Sequence, residues 1–597
     1  MILIEMYQVK EEDFCFAGSC LPIGDSATLW YNHTMDKKEL GPQTGGAAGM
    51  ARSGRHILEN KTYLYLTEFF AGMAVMAVEL GANRLLAPYF SSSQIVWTII
   101  IGTIMIAMAL GNIYGGRRAD KDPDPDKLYV RILIAAVWIA VIAVVGKYII
   151  LGIAAVLVFS VSHNFLIIAG FAACMVLFVF PCFLLGTVTP SLVKYTTDSL
   201  DDNGSVVGTL GACNTIGSIL GTFLPTFVTI PAVGTTISFL LFSGVLLLLS
   251  LVYFVSTRGR KKTAAAGLAL FLGCCLFGGQ GSFAFWESDL TYEGESVYNY
   301  LQVKESPRSV ILSTNVLFGV QSILRKDKDL TGMYYDYAMA APYMAGIYEE
   351  GTDGNSDSAD PFEILILGNG TGTYATQCDK YFGRAARPLR IEGVEIDQKI
   401  TDLAEEYFAM PEDIDVYTYD GRAYLNAVDK KYDVIMVDAY QDITIPFQMS
   451  SVEFFTMVRD HLKEGGVMVV NMNMRSDKKG SINEYLSDTI ASVFDQVMTV
   501  DVEGGTNREL LATNRKDGFA VMRSGIAVET NMDLKAMMWD VAGELVPYEG
   551  GGLILTDDKA PVELLSMSAI DDLIGEETDY YRNVYEEGGI KALLELL

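Results

Sequence analysis

The hydrophobic rhythm of the chain changes once, near Trp286. Before it, apolar runs recur at about 63–82, 95–115, 129–161, 166–190, 206–230, 234–256 and 264–285, each close to the roughly 20 residues that a membrane-spanning helix needs. They predict a transmembrane domain of about seven helices over 63–286. The third run holds Gly146, Lys147 and Gly152 and reads either as one bent helix or as two short ones. Beyond Trp286 the runs shorten. "VYNYLQVKE", "SVILSTN" and "GVQSILRK" alternate with period two and predict a small antiparallel sheet, and "YYDYAMAAPYMAGIY" predicts a linking helix, so 287–345 is read as a small β-domain. After the turn-rich "GTDGNSDSADP", apolar strands ("EILILG", "RIEGVEID", "DVYTYDG", "YDVIMVDAY", "VMVVNM") alternate with helical segments. That order predicts a doubly wound α/β domain over 362–597, with both faces of its sheet covered. Residues 1–62 show neither pattern and end in "GPQTGGAAGMARSGR", which reads as a flexible extension without a signal peptide; Met50 is an alternative start.

Composition sharpens this division. A chain of 597 residues that is 50% hydrophobic is too long for one domain and too apolar for an ordinary soluble enzyme. From Glu287 onward there are 26 Lys and Arg against 56 Asp and Glu, net −30, while residues 1–286 carry +1. An acidic field repels nucleic acid and admits a polyamine or other cationic small molecule. The membrane segments make lipid the other expected partner. The eight cysteines and four histidines show no metal spacing, so no metal is expected, and His461 is read as lying on the exposed side of a helix. Basic residues gather in "YGGRRADKDPDPDK" and "STRGRKK", marking both loops as cytoplasmic. Glu68 and Glu79 fall on nearly one face of the first helix, with Arg84 close behind. They mark either a pathway or an interfacial pair at the helix end.

The candidate chemistry lies at strand ends. Gly368, Gly370 and Gly372 in "ILILGNGTG" let the backbone turn tightly and approach a ligand. Glu395 ends the next strand, where a carboxylate can hold a ribose diol of either a dinucleotide or an adenosyl group. Asp420 ends the third strand, where it can accept from an adenine amino group, and Asp438 ends the fourth. In open α/β sheets these ends converge on one crevice.

Together "ILILGNGTG", "GVEID", "YDGRAYL", "YDVIMVDAY…IPF", "EFFTMVRDHLKEGGVMVVN" and "LTDDKAPVELL" resemble the spermidine synthase family of polyamine aminopropyltransferases. "ESVYNYLQV", "GVQSIL" and "LTGMYYDY" resemble that family's small β-domain. The apolar half, with "LGNIYGGRRADK", is similar to major-facilitator-like segments fused to such domains. The resemblance implies a Rossmann-like, S-adenosylmethionine methyltransferase-type fold and a donor, decarboxylated S-adenosylmethionine, whose aminopropyl carbon is attacked by an amine. It implies Asp438 as proton acceptor, Glu395 at the ribose, Asp420 with Gly421 at the adenine, and Gln321 along the donor. Family members commonly assemble through the soluble domain, so a homo-oligomer is an open expectation.

The departures from the family pattern cluster at amine-binding positions. Thr371 stands where the family has an acid, Tyr335 and Asp336 replace a His-Glu pair, and Gln441 and Asp442 replace an acid-proline pair. These five are the expected substrate-binding positions. A neutral Thr371 removes a like-charge contact with the carboxylate of ordinary S-adenosylmethionine, on the order of 4 kcal/mol at about 4 Å. Methyl transfer, and a transporter or sensor that binds a polyamine or nucleoside without turnover, therefore stand beside aminopropyl transfer; an NAD oxidoreductase has the least support. The expected location is the plasma membrane. Cytosolic production of S-adenosyl donors argues for a cytosolic soluble half, whereas seven spans with basic cytoplasmic loops argue for the opposite side.

Overall fold

The computed structural model describes residues 57, 60–90, 93–158, 164–196, 203–278, 282–316, 319–349, 360–383, 387–439, 445–473, 475–572, 574–575 and 583–584. The expected N-terminal extension lies almost wholly outside these residues, as do Gln441 and Asp442.

The apolar half is a helical bundle: α1 (Lys61–Phe90), α2 (Gln94–Lys121), α3 (Pro125–Val158), α4 (Phe165–Leu177), α5 (Val179–Gly186), α6 (Val188–Thr196), α7 (Asn203–Leu224), α8 (Ile230–Thr257) and α9 (Lys261–Gly278). Five helical stretches are long and apolar enough to cross a membrane, and the pair 165–177 and 179–196, bent by 49°, makes a sixth. One of the five is the 55-residue stretch Asn203–Thr257, which contains a reversal. Gly234 has φ 79° and ψ 169° within it. Glu68 of α1 accepts from Asn214, and the Gly72 carbonyl accepts from Ser218, so α7 runs parallel to α1. Tyr63, at the start of α1, donates to the Leu249 carbonyl, whereas Gly81 packs on Phe239, so α8 runs antiparallel to α1. Among the described residues the bundle therefore makes seven passes. The long third run is a single helix. Gly217 and Gly221 lie so close to the α1 backbone that a Cβ would meet the Phe69 and Met73 carbonyl oxygens at 1.9 and 2.1 Å, the close approach that small residues permit. Outward-facing Met105, Val255, Leu276 and Phe277 are 63%, 75%, 73% and 71% exposed, an apolar surface suited to lipid.

The soluble half opens with an antiparallel sheet, β1 (Leu290–Glu295), β2 (Tyr300–Glu305), β3 (Ser309–Ser313) and β4 (Ser322–Arg325), followed by two short helices, α10 (Tyr334–Ala338) and α11 (Ala340–Met344). The α/β part then runs β5 (Phe362–Leu367), α12 (Thr373–Phe382), β6 (Leu389–Glu395), α13 (Gln398–Tyr407), β7 (Asp415–Thr418), α14 (Gly421–Ala427), β8 (Tyr432–Val437), α15 (Val452–Asp460), β9 (Leu462–Met472), α16 (Ile482–Ala491), β10 (Gln496–Asp501), β11 (Arg508–Thr513), α17 (Gly518–Val528), α18 (Met532–Glu544) and β12 (Val546–Pro547). These eight strands form one sheet in the order β12-β10-β11-β9-β8-β5-β6-β7. The strands from β7 to β9 are parallel, and β11 joins β9 antiparallel. β5 and β8 are buried along their whole length, as expected for central parallel strands. The order reverses at β5, between β6 and β8, where a crevice opens at the strands' carboxyl ends. One expectation fails here: His461 is only partly exposed, and its ring nitrogens lie 2.8 and 2.9 Å from the Met457 and Val428 carbonyls.

Carboxylates of the soluble half reach the bundle at helix starts. Glu563 accepts from Gln94 N, Asp571 from Asn164 N and Phe165 N, and Glu295 from the Thr235 N and Oγ1. Each satisfies backbone donors that a helix start leaves open, at its positive end. The soluble half thus meets the bundle at the end opposite the basic loops. That far end holds Arg117, Arg118, Lys121, Lys127, Lys194, Arg258, Arg260, Lys261 and Lys262, whereas the connections at the near end carry no Lys or Arg.

Candidate functional site

A cavity of about 260 Å³ sits at the strand ends, lined by Gln321, Tyr335, Gly368, Gly370, Glu395, Asp420, Gly421 and Asp438, with Asn299 from the β1–β2 connection. The glycine turn after β5 shapes one wall of it. The φ angles of Gly368, Gly370 and Gly372 are +87°, +55° and +80°. A Cβ at Gly368 would come within 2.5 Å of the Asp438 carbonyl oxygen, so the turn after β5 packs directly on the segment that carries Asp438.

Glu395, at the end of β6, accepts from Gly370 N at 2.9 Å and Asp397 N at 3.1 Å. Burial pushes its carboxyl up to about 7, against the pull of those backbone donors. Its position beside a glycine turn leaves lone pairs for a diol. Asp420 caps α14 by accepting from Ala423 N at 2.8 Å. Next to it, Arg422 pairs with Asp557 at 2.7 and 2.6 Å and donates to the Gln448 carbonyl, holding the "LTDDKAP" segment against the cavity's Gln448–Met449 wall.

Asp438 follows β8. Its Oδ2 accepts from the Tyr334 hydroxyl at 2.7 Å and its Oδ1 from Asn471 Nδ2 at 2.9 Å. Asn471 is held in turn by Asn507 at 2.8 Å. Burial pushes Asp438 up to about 7, although both side-chain hydrogen bonds favour its ionised form. A carboxyl poised there can accept a proton near neutral pH. The sequence did not single out Tyr334, Asn471 or Asn299. Their only signal was adjacency, since Tyr334 precedes Tyr335 and Asn471 ends the apolar strand next to Asp438's own.

The amine-binding positions behave differently. Tyr335 lines the cavity and donates to the Gln321 carbonyl at 2.7 Å. Asp336 does not line it: its carboxylate accepts from Thr331 N, Thr331 Oγ1, Gly332 N and Gln377 Nε2, which ties it into the turn before α10. Thr371 is 1% exposed, with Ser322 Oγ accepting from its N–H, and it lines a neighbouring cavity. Gly372 serves the turn and begins α12 without lining the main cavity.

Comparison with known proteins bears on the family of the chain. Residues 353–502 match the family model of the spermine/spermidine synthase domain. The chain is 52% identical over 361 residues to a "Probable polyamine aminopropyl transferase" of Bifidobacterium longum, covering 58% of this chain and 77% of that one. It is 25% identical over 298 residues to a polyamine aminopropyltransferase of Vibrio vulnificus, covering 47% and 93%. A solved structure of a probable spermidine synthase from Corynebacterium glutamicum aligns at a TM-score of 0.33 and 17% identity, over 44% of this chain and 98% of that one. With a relative of this identity spanning most of its length, the chain belongs to the spermidine synthase family of polyamine aminopropyltransferases.

Proposed function

We propose that this protein transfers an aminopropyl group from decarboxylated S-adenosylmethionine to an amine, from a catalytic half anchored by a membrane-spanning bundle. The observation that carries the reading is Asp438, oriented by Tyr334 and Asn471 on the cavity that also holds Glu395 and the glycine turn. An alkylammonium has a pKa near 10.4 and no lone pair to attack with. A carboxyl at its ordinary 3.8 would take that proton only with a penalty of about 9 kcal/mol; at about 7 the penalty falls to about 5 kcal/mol. The freed nitrogen forms a C–N bond to the aminopropyl carbon as the C–S bond breaks. Sulfur keeps the electron pair, so the sulfonium leaves as neutral methylthioadenosine. Glu395 suits the ribose, Asp420 and Gly421 the adenine, and Gln321 and Tyr335 the donor's flank. By the family resemblance Gln441 and Asp442 are the proposed acceptor-binding positions, and Thr371 and Asp336, which do not line the main cavity, are assigned a shaping role.

A second reading is binding without turnover, as in a sensor. It is favoured by one observation: the soluble half docks at the end of the bundle opposite the basic loops, which by the charge rule is the outer side, whereas the donor is made in the cytosol. Mass spectrometry of detergent-purified protein given decarboxylated and ordinary S-adenosylmethionine with a panel of amines tests both. An aminopropylated amine with methylthioadenosine is expected. Methylated product would move the activity to methyl transfer, and nucleoside binding with no product would leave the sensor reading.

A further inference from the structure

Beside the catalytic cavity lies a second, of about 280 Å³, enclosed between the bundle and the β1–β2 connection. Tyr298, Asn299 and Thr314 line both cavities, so the two are separated by no more than shared side chains. Its bundle wall is largely apolar, with Leu80 and Ala87 of α1, Trp97 of α2 and Ile230 of α8. Two polar groups of α1 enter it. Arg84 is already engaged: it donates to the Val297 carbonyl, and Glu295 and Asp397 oppose its charge. Asn83 is not. It is 6% exposed, and its amide oxygen is buried without a hydrogen-bond partner. A buried carbonyl oxygen left in that state is costly, and it can be relieved only by a donor.

An unpaired acceptor set among the apolar side chains of the bundle wall, in a chamber that also holds Arg84, Glu295 and Asn299, suits a ligand with an N–H head and an apolar body. The indole face of Trp97 suits a cationic head as well. We propose that this chamber receives the acceptor amine from the membrane side before it reaches Asp438. The inference deepens the aminopropyltransferase reading and rests on it for the amine's fate. An aminolipid in the bilayer and a water-soluble alkyl polyamine share this chemistry.

The test uses full-length protein in lipid nanodiscs and a decylamine carrying a photoreactive diazirine, with labelled peptides mapped by mass spectrometry. Labelling is expected in peptides covering Leu80–Trp97 and Val297–Thr314. It should fall at least tenfold in Asn83→Leu, which removes the acceptor, and in Ala87→Phe, which fills the chamber. Methylthioadenosine binding by calorimetry checks that each variant is folded. Competition by phosphatidylethanolamine incorporated in the disc identifies a lipid source, and competition by a short diamine in solution identifies a soluble one. Wild-type labelling confined to other peptides, or resistant to both competitors, overturns the proposal whatever the variants do. Labelling of these peptides without aminopropylated product would remove the catalytic reading and leave the amine chamber; product without such labelling would do the reverse.

Discussion

The Tyr334 hydroxyl hydrogen-bonds Asp438 Oδ2 at 2.7 Å from a helix that lies 104 residues earlier in the chain. It is a donor to an ionised acceptor, worth about 1.5–3 kcal/mol, and so it holds Asp438 lower than burial alone would. Because Asp438 must be ionised to accept a proton, kcat/KM should fall as pH drops through about 7. Tyr334→Phe should move that acid limb upward by roughly one to two pH units. Asp438→Asn should lower turnover by about 10²–10⁴ while sparing nucleoside binding. A pH profile of each variant checks this, and an unmoved acid limb in Tyr334→Phe would remove the role given to the phenol.

Glu509 lies directly across from Asn471 in the β9–β11 register, fully buried, with neither carboxyl oxygen hydrogen-bonded. Burial, and next the charge of Asp438, raise its pKa. A carboxyl raised on folding contributes stability that is present below its unfolded pKa and lost as pH rises through the folded one. Glu509→Gln removes that titration. The wild-type melting temperature should therefore fall relative to the variant between pH 5 and pH 9, a difference that thermal melts at matched ionic strength would measure. A constant difference across that range would mean that Glu509 does not titrate there.

The glycine turn gives the sharpest steric expectation. In Gly368→Ala the new methyl would sit 2.5 Å from the Asp438 carbonyl oxygen and 2.7 Å from Ala439 Cα, at a φ of +87°. Backbone strain of about 1–3 kcal/mol follows. Nucleoside affinity should drop at least tenfold, and calorimetry with methylthioadenosine would read it directly. Wild-type affinity in the variant would show that the turn can move away from Asp438.

Seven passes also fix what labelling should find. Cys378 cannot report, being fully buried, but Met532 is 73% exposed on the soluble half. With the other cysteines replaced by serine, Met532→Cys should react with a membrane-impermeant maleimide in intact cells if the basic loops are cytoplasmic. Protection in intact cells and reaction after lysis would instead place the soluble half in the cytosol.

Much of this was legible in the sequence for a physical reason. Central strands such as Ile364–Leu367 and Val434–Val437 are buried on both faces, so they read as unbroken apolar runs that end where Gly368 and Asp438 begin. The reversal at Gly234 was legible too, because it separates two apolar runs. Asp336 was misleading, since an acid beside a cavity-lining tyrosine can equally satisfy its own turn, and only the fold shows which. Tyr334, Asn471 and Glu509 were silent. Each acts through a partner distant in sequence, and no periodicity records which strand end will face which helix.

The three carboxylates that meet Gln94, Phe165 and Thr235 come from two places in the soluble half, Glu295 from the end of β1 and Glu563 with Asp571 from one segment near the end of the chain. Severing the chain near Trp286 to obtain a water-soluble enzyme would thus expose more than a cut end. It would strip the starts of three membrane helices of their anions and leave Glu295, Glu563 and Asp571 without the dipoles they answer. The two halves share these contacts, and the strand that carries Glu295 leads within one turn to Asn299 on the wall of the strand-end cavity.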